Sequence, residues 1–319
     1  MKNKKKILVC GGTGFIGRNI VEFFSKLNDY EVHATHYKRN KFSNNNIKWY
    51  KVDLRNKNQV NKIINNFEIV FQAAATTSGA RDIVNKPYIH VTDNAVMNSY
   101  IFRAAHENNI KHLIFFSCTV MYHSSNINLK EKDFDPSKDL QKKYYGVGHT
   151  KLYIEKLCNF YSSFGKTKYS VIRHSNIYGP YDKFDFEKSH FFGASISKIM
   201  QNDKVINIWG KGTEKRDFLY VDDLMFFLEK LINYQKLNFK LYNCSYGKAF
   251  SINQIIKKMI KISGKKLKIE YDLSAPTITS NMKISSKLAE KELNWTPKTH
   301  IDKGIQKTIS WWKKNIKNV

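Results

Sequence analysis

Short apolar runs alternate with amphipathic segments along the first half of the chain. The apolar runs, which predict strands, lie at residues 7–10, 30–35, 47–52, 69–72, 112–116 and 169–173. The amphipathic segments, which predict helices, lie at residues 19–24, 93–109 and 152–161. Because strands that alternate with helices favour right-handed crossover connections, we expect an α/β fold with a doubly wound parallel sheet.

A glycine-rich turn joins the first predicted strand to the first predicted helix. Three glycines are spaced so that one permits a positive φ, one lets the backbone approach a pyrophosphate, and one allows close packing of helix on strand. The N-terminus of the helix that follows would face the anion. The pattern predicts a Rossmann-type dinucleotide site whose contacts include Gly11, Thr13, Gly14, Phe15, Ile16 and Gly17.

The predicted edge of the sheet carries further candidates for cofactor binding. Basic residues, and no carboxylate, follow the second strand, which favours NADP over NAD, although these residues could equally be solvated charges in a lysine-rich chain. An acidic residue after the third strand could accept a hydrogen bond from adenine, and small residues after the fourth would let the backbone lie close to the cofactor. These candidates are Lys38, Arg39, Asp53, Leu54, Ala73, Ala74 and Ala75, with Asn94 at the inner end of the long helix.

Charge and cysteine content narrow the possible function classes. The formal net charge is +27, but the lysines are scattered and no basic tail follows, so we expect non-specific attraction to polyanions and no specific nucleic-acid partner. The four cysteines have no paired spacing, which predicts reduced thiols and no metal site. No apolar run reaches the length of a membrane span or of a secretory signal, so we expect no membrane partner and a cytoplasmic protein.

In these motifs the chain resembles the extended short-chain dehydrogenase/reductases, within the NAD-dependent epimerase/dehydratase group of nucleotide-sugar enzymes. The glycine turn, Lys151 and the segments at 173–180, 209–223 and 293–297 fall in the order of that family. Residues 176–190 most resemble GDP-L-fucose synthases, which implies a GDP-linked sugar as substrate.

The resemblance also implies an organisation into two lobes. Residues 1–176 would form an NAD(P)-binding Rossmann domain. Residues 177–319 would form mainly a smaller α/β lobe that binds the nucleotide-sugar, with some segments returning to the first domain. A homodimer would form through two long helices, around residues 94–109 and 152–161.

The catalytic positions of the family are only partly matched. Family members carry a tyrosine four residues before the lysine that holds the nicotinamide ribose. The lysine is Lys151, but the tyrosine position is Val147, which cannot transfer a proton. A two-residue bulge before the lysine would bring Tyr145, our first candidate, or less readily Tyr144 to the site; His149 or water could serve instead.

The substrate side departs from the family as well. The position of the family's hydroxyl falls on Cys118, flanked by Ser117 and Thr119, so one of these three would bind the reacting sugar oxygen. The epimerising cysteine of GDP-L-fucose synthases maps to Val120, which argues against C3/C5 epimerisation. The resemblance further implies contacts to the nucleotide-sugar from Asn176 and Arg216 and a place beside the sugar ring for His190, although the sequence alone favours an ordinary loop histidine.

Together these expectations predict a nucleotide-sugar oxidoreductase that transfers hydride between NAD(P) and C4 of a GDP-hexose or GDP-heptose in surface-polysaccharide or deoxysugar biosynthesis. If the cofactor is retained, oxidation followed by reduction on the other face would make the protein a GDP-sugar 4-epimerase. The missing tyrosine leaves open a catalytically impaired NAD(P)-binding protein that serves as a sensor or binding partner.

Overall fold

A computed structural model describes residues 4–77, 80–185, 189–275, 277 and 280–316, apart from the side chains of residues 80, 81 and 84. In chain order the strands are β1 (Lys5–Cys10), β2 (Tyr30–His36), β3 (Ile47–Lys51), β4 (Ile69–Gln72), β5 (His112–Phe116), β6 (Asn128–Leu129), β7 (Lys168–His174), β8 (Asn176–Tyr178), β9 (Val205–Trp209), β10 (Lys215–Tyr220), β11 (Phe239–Cys244), β12 (Ala249–Ser251), β13 (Lys268–Asp272) and β14 (Lys283–Ile284). The helices are α1 (Phe15–Phe24), α2 (Lys57–Ile64), α3 (Ala80–Asn85), α4 (Thr92–Glu107), α5 (Tyr145–Ser162), α6 (Phe191–Gln201), α7 (Val221–Tyr234), α8 (Ile252–Ser263), α9 (Lys287–Leu293) and α10 (Ile301–Asn315).

Seven of the described strands form one sheet, in the order β11-β7-β5-β4-β1-β2-β3. Every neighbouring pair in it is parallel. The strand order reverses between β1 and β4, so the carboxyl ends of these two strands flank a crevice, which is where doubly wound folds bind ligands. This topology confirms the predicted α/β Rossmann-type fold.

The apolar runs form this sheet because both of its faces are buried. In β1, Val9 belongs to a core shared with α1, α7 and α9, whereas Leu8 belongs to a second core shared with α2, α4 and α5. Helix α1 contributes Ile20 and Phe24 to the first core, and both are fully buried. Helices therefore cover the sheet on either side and leave its carboxyl edge open for a site.

A third apolar core lies in the second half of the chain. Strands β12, β10 and β8 form a small sheet, and β9 pairs with β13. Helices α6, α8 and α10 contribute the buried residues Ile196, Ile255 and Ile305, which share this core with Tyr178 of β8. The chain also returns to the first sheet, because β11 pairs with β7 along six residues.

Helix α5 begins at Tyr145, seven residues before the start that apolar spacing predicts. The sequence did not predict these seven residues as helix because glycines, here at positions 146 and 148, weaken isolated helices. Tertiary packing overrides that preference here. A Cβ on Gly148 would lie 2.5 Å from Leu140 Cδ1, and one on Gly146 would lie 3.0 Å from Val91 Cγ2, so the glycines allow close contacts that a larger residue would prevent.

Candidate active site

The glycine turn between β1 and α1 packs against the end of β4. Gly11 has a φ of +77°, and a Cβ there would lie 2.7 Å from Ala74 Cα. A Cβ on Gly17 would overlap the carbonyl oxygen of Gly11. The Gly11 N–H donates to Thr35 Oγ1 at 2.9 Å, which fixes the turn to the end of β2. Both glycines are therefore required by the turn itself, and the stretch from Ala73 to Ala75 lies beside it.

The N-terminus of α1 is suited to an anion. Gly14 occupies the N-cap, no side chain caps the first turn, and that turn carries no acidic residue. Thr13, Phe15 and Ile16 are half-buried around it. Because the first N–H groups of a helix lack partners within the helix, this end can bind a pyrophosphate.

The basic residues after β2 are accessible. Lys38 and Arg39 are both exposed, and Lys38 Nζ lies 6.0 Å from the centre of the Tyr37 ring. Accessible cations at this place suit a 2′-phosphate, but side chains that are only solvated would be exposed in the same way. The preference for NADP stays a prediction.

Asp53 is held by an arginine that the sequence reasoning did not single out. Arg55 donates to Asp53 Oδ1 from its backbone N–H and from Nε, both at 3.0 Å, and to Oδ2 from Nη2 at 2.9 Å. Arg55 Nη1 also reaches Asp93 Oδ2 at 3.2 Å. The guanidinium lowers the pKa of Asp53 to about 2, so this carboxylate is ionised, and the neighbouring Leu54 is buried.

Asn94 positions the loop after β4. Its Oδ1 accepts the Thr76 N–H at 2.9 Å, and its Nδ2 donates to the carbonyl oxygens of Thr76 and His90 at 2.9 and 2.8 Å. The amide is 5% exposed. Asn94 therefore ties down this loop, and its contact with the cofactor stays a prediction.

Lys151 lies on the second turn of α5, against the carboxyl end of β5. Its Nζ donates to the carbonyl oxygen of Phe116 at 2.7 Å. Burial lowers the pKa of Lys151, and the neighbouring Cys118 and Glu155 oppose that shift. Burial raises the pKa of the Cys118 thiol, while Lys151 and a hydrogen bond from the Val120 N–H act in the opposite direction. The structure thus brings together Lys151 and Cys118, as the sequence predicted from their separate motifs.

Ser117 belongs to a buried ion-pair network. Its hydroxyl donates to Glu155 Oε1 at 2.6 Å, and Arg173 binds the same carboxylate through Nε at 3.0 Å and Nη2 at 2.6 Å. Arg173 Nη1 also donates to the Tyr122 hydroxyl at 3.0 Å. Because its hydroxyl proton is bound by Glu155, Ser117 positions the end of β5; which of Ser117, Cys118 and Thr119 binds a sugar oxygen stays a prediction.

A pocket with both polar and apolar walls opens beside this strand end. Asn176 is oriented by donating from Nδ2 to the carbonyl oxygen of Asp217 at 2.9 Å. The half-buried Arg216 places a positive charge in the wall of the pocket. The residues that line the pocket are Thr119, Val120, Tyr144, Asn176, Arg216, Asp217, Ser280, Met282 and Ile284. Thr119, Asn176 and Arg216, which come from three separate sequence motifs, therefore meet in one place.

The two neighbouring tyrosines before α5 have different surroundings. Tyr145 is 55% exposed, and its ring centre lies 4.4 Å from that of the exposed His149. The expected bulge before Lys151 is not present, since α5 is helical from Tyr145 onward and Thr150 Oγ1 donates to the Gly146 carbonyl oxygen at 2.8 Å. The structure thereby corrects the choice of Tyr145, whose side chain lies on the solvent side while that of Tyr144 lines the pocket.

His190 lies directly before α6, among positive charges. The residue is exposed, and its pKa is lowered, chiefly by desolvation from the protein around it. Lys183, His90, Arg216 and His174 each lower it further. These charges show that His190 lies near Arg216, and its place beside a sugar ring stays a prediction.

The sequence model of the NAD dependent epimerase/dehydratase family matches residues 7–245. The chain belongs to this family. The family is one of enzymes, so the predicted resemblance and enzyme class are confirmed.

The relatives of this epimerase/dehydratase act on different nucleotide-sugars. GDP-L-colitose synthase of Yersinia pseudotuberculosis is 27% identical over 96% of this chain and 97% of its own length. UDP-glucuronate 4-epimerase of Thermodesulfobacterium geofontis is 30% identical over 97% of this chain and 96% of its own length. The structure of UDP-glucose 4-epimerase from Thermotoga maritima superimposes with a TM-score of 0.86 at 23% identity, covering 98% of this chain and 99% of that one. The structural likeness shows the fold, and the sequence likeness shows the class of nucleotide-sugar enzymes.

The described part of the chain offers neither a metal cluster nor a membrane-spanning helix. No group of three or more His, Cys, Asp or Glu residues there is arranged to bind a metal ion. In the same ranges, no helix combines the length and apolarity that crossing a bilayer requires.

Proposed function

We propose that this protein is a nucleotide-sugar oxidoreductase that transfers hydride between NAD(P) and C4 of a GDP-hexose or GDP-heptose, in cytoplasmic surface-polysaccharide or deoxysugar synthesis. The observation that carries the proposal is the cluster at the carboxyl end of β5, where Lys151 and Cys118 adjoin a pocket walled by Asn176 and Arg216. The likeness to GDP-L-colitose synthase supports a guanosine nucleotide.

The residues around the crevice fit an NAD(P) molecule. The turn at Gly11 and Gly17 has no room for a Cβ, and the α1 N-terminus would hold the pyrophosphate. Lys151 would hold the nicotinamide ribose, and the exposed Lys38 and Arg39 would hold the 2′-phosphate of NADP, which we propose as the preferred form. Bound NAD(P) would supply the hydride donor or acceptor.

The pocket would orient the substrate. Arg216 would form charge-assisted hydrogen bonds with the diphosphate of the nucleotide-sugar, and Asn176 would contact the same ligand. Thr119 or Cys118 would bind the reacting oxygen, and His190 would lie beside the sugar ring. Retention of the cofactor through an oxidation and a reduction on the opposite face would give 4-epimerisation by the same site.

We also propose a homodimer formed through α4 and α5. These helices pack against each other, with Ser99 Oγ on α4 lying 3.3 Å from the Tyr153 hydroxyl on α5. Along α5, Tyr153 and Phe160 are large side chains left exposed, the latter by 56%. A second copy would remove them from water. In light scattering, Phe160→Glu should yield monomers where the wild type gives dimers; a monomeric wild type contradicts the proposal.

The activity is tested by following nicotinamide absorbance with NAD or NADP supplied. GDP-mannose, GDP-heptose, their 4-keto forms and UDP-hexose controls are offered to the purified protein, and NMR detects epimerised product. We expect a signal that is selective for GDP-sugars. Lys151→Ala should reduce turnover by about 10²- to 10⁴-fold, the usual contribution of positioned acid–base groups.

Val147 in place of the family tyrosine favours a second candidate, a binding protein without efficient catalysis. Tight binding of a GDP-sugar by calorimetry, with neither a redox signal nor an epimerised product, would support this candidate. If the protein binds UDP-sugars and no GDP-sugar, the guanosine assignment is wrong. The absorbance assay would still decide whether the protein is an oxidoreductase.

A further inference from the structure

Three residues around the start of α5 follow the spacing of one helix face. Tyr144, Val147 and Lys151 are separated by three and four residues, the spacing that places side chains on one face of a helix. Tyr144 ends the short 3-10 turn at Lys142–Tyr144 and is the residue directly before α5. It therefore lies about 4.5 Å before Val147 along the helix axis, given a rise of 1.5 Å per residue.

The side chain of Tyr144 faces groups that would contact the substrate. It lines the pocket together with Thr119, Asn176 and Arg216. Its hydroxyl is close enough to Arg216 and to Cys118 for their charges to affect its ionisation. Tyr144 thus lies near both the residue that would bind the diphosphate and the residue at the family's hydroxyl position.

Electrostatics favour the protonated form of this phenol. Burial is the largest influence and raises the pKa of Tyr144, Arg216 lowers it, and Cys118 raises it. A tyrosine that holds its proton at neutral pH can act as a general acid. The other groups considered for this role, Tyr145 and His149, pair with each other on the exposed side of α5.

Resting on the proposed function, we propose that Tyr144 is the proton-transfer residue of this site, displaced by about one helical turn from the position that the family uses. In the reductive direction, C4 of the keto sugar accepts a hydride from NAD(P)H, and its oxygen takes the proton of the Tyr144 hydroxyl. The carbonyl becomes a secondary alcohol, and the phenolate regains a proton from water. The oxidative direction runs through the same steps in reverse.

The test compares Tyr144→Phe with Tyr145→Phe. Phenylalanine keeps the ring in the pocket wall and the backbone N–H that Tyr144 donates to Gln141 at 2.7 Å. We expect Tyr144→Phe to lower kcat by about 10²- to 10⁴-fold while the Kd for the nucleotide-sugar changes by less than about threefold. Tyr234→Phe, an exposed tyrosine at the end of α7, is the matched control and should keep wild-type kcat.

Three outcomes would overturn the inference. The first is a Tyr144→Phe variant with wild-type kcat. The second is a loss of kcat of tenfold or more in Tyr145→Phe and not in Tyr144→Phe. The third is a loss of binding in Tyr144→Phe that accounts for the whole loss of activity, because Tyr144 would then be a binding residue. An inactive wild type removes the proposed function itself, whereas an active wild type with an unaffected Tyr144→Phe variant removes only the role of Tyr144.

Discussion

Replacing Arg173 with methionine should destabilise the protein through the charge that it leaves behind. Arg173 and Glu155 have side chains only 5% and 6% exposed, and two hydrogen bonds join them. Ser117 and Tyr122 complete the network, so Glu155 would keep one neutral donor and lose its cation. Methionine fills similar volume, which leaves the lost charge as the main difference.

The expected loss is large because a carboxylate without a counter-ion is costly in the interior. Breaking a buried ion pair costs about 3–5 kcal/mol. With an unfolding entropy of about 2.1 cal/mol/K per residue across 319 residues, that loss lowers Tm by about 4 to 8 °C. Removing both charges, with Arg173→Met and Glu155→Leu together, should cost less than the sum of the single substitutions by about 2 kcal/mol or more.

Urea denaturation followed by circular dichroism gives the free energies of unfolding for the wild type, the two single variants and the double variant. The four values form a double-mutant cycle. Additive effects, or an Arg173→Met variant within about 1 kcal/mol of the wild type, would refute the view that this pair is a desolvated charge pair.

Three further predictions concern the cofactor and pH. Gly17→Ala should weaken NAD(P) binding by at least about tenfold in calorimetry, because its Cβ would overlap the Gly11 carbonyl oxygen; unchanged affinity would count against the turn. Arg39→Ala should weaken NADP by about tenfold and leave NAD unchanged, and equal effects on both would remove it from the 2′-phosphate site. Burial lowers the pKa of His112 to about 3, below the unfolded value of about 6.5, so stability present above pH 6.5 is lost as the pH falls, by about 1.4 kcal/mol per unit. His112→Gln should remove that slope in urea titrations between pH 6.5 and 5; an unchanged slope would contradict it.

The sheet and the glycine turn could be predicted because their signals are local. A buried strand, three spaced glycines and a helix are adjacent in the sequence, and the structure retains them as expected at Gly11 and Gly17. Lys151 and Arg216 could be placed by the resemblance because each lies within a recognisable motif.

Side chains that depend on distant partners could not be assigned from sequence. Ser117 looked like a substrate contact because it follows a strand, but its acceptor, Glu155, is 38 residues away. The signal available in the sequence was Glu155 itself, because an acidic residue on the apolar side of α5 needs a buried polar partner. Tyr144 and Tyr145 are adjacent and identical, and only the place where α5 begins determines which one faces the pocket.

Strand β11 has a consequence for the order in which the protein folds during synthesis. Its six residues complete the sheet beside β7, yet about 70 residues separate the ends of the two strands. At about 5–20 residues per second, β7 remains an unpaired edge for roughly 4 to 14 s after it is made. Such an edge, with Tyr169 and Val171 fully buried in the finished protein, can pair with other nascent chains. Recombinant yield should therefore depend on chaperone supply during that interval.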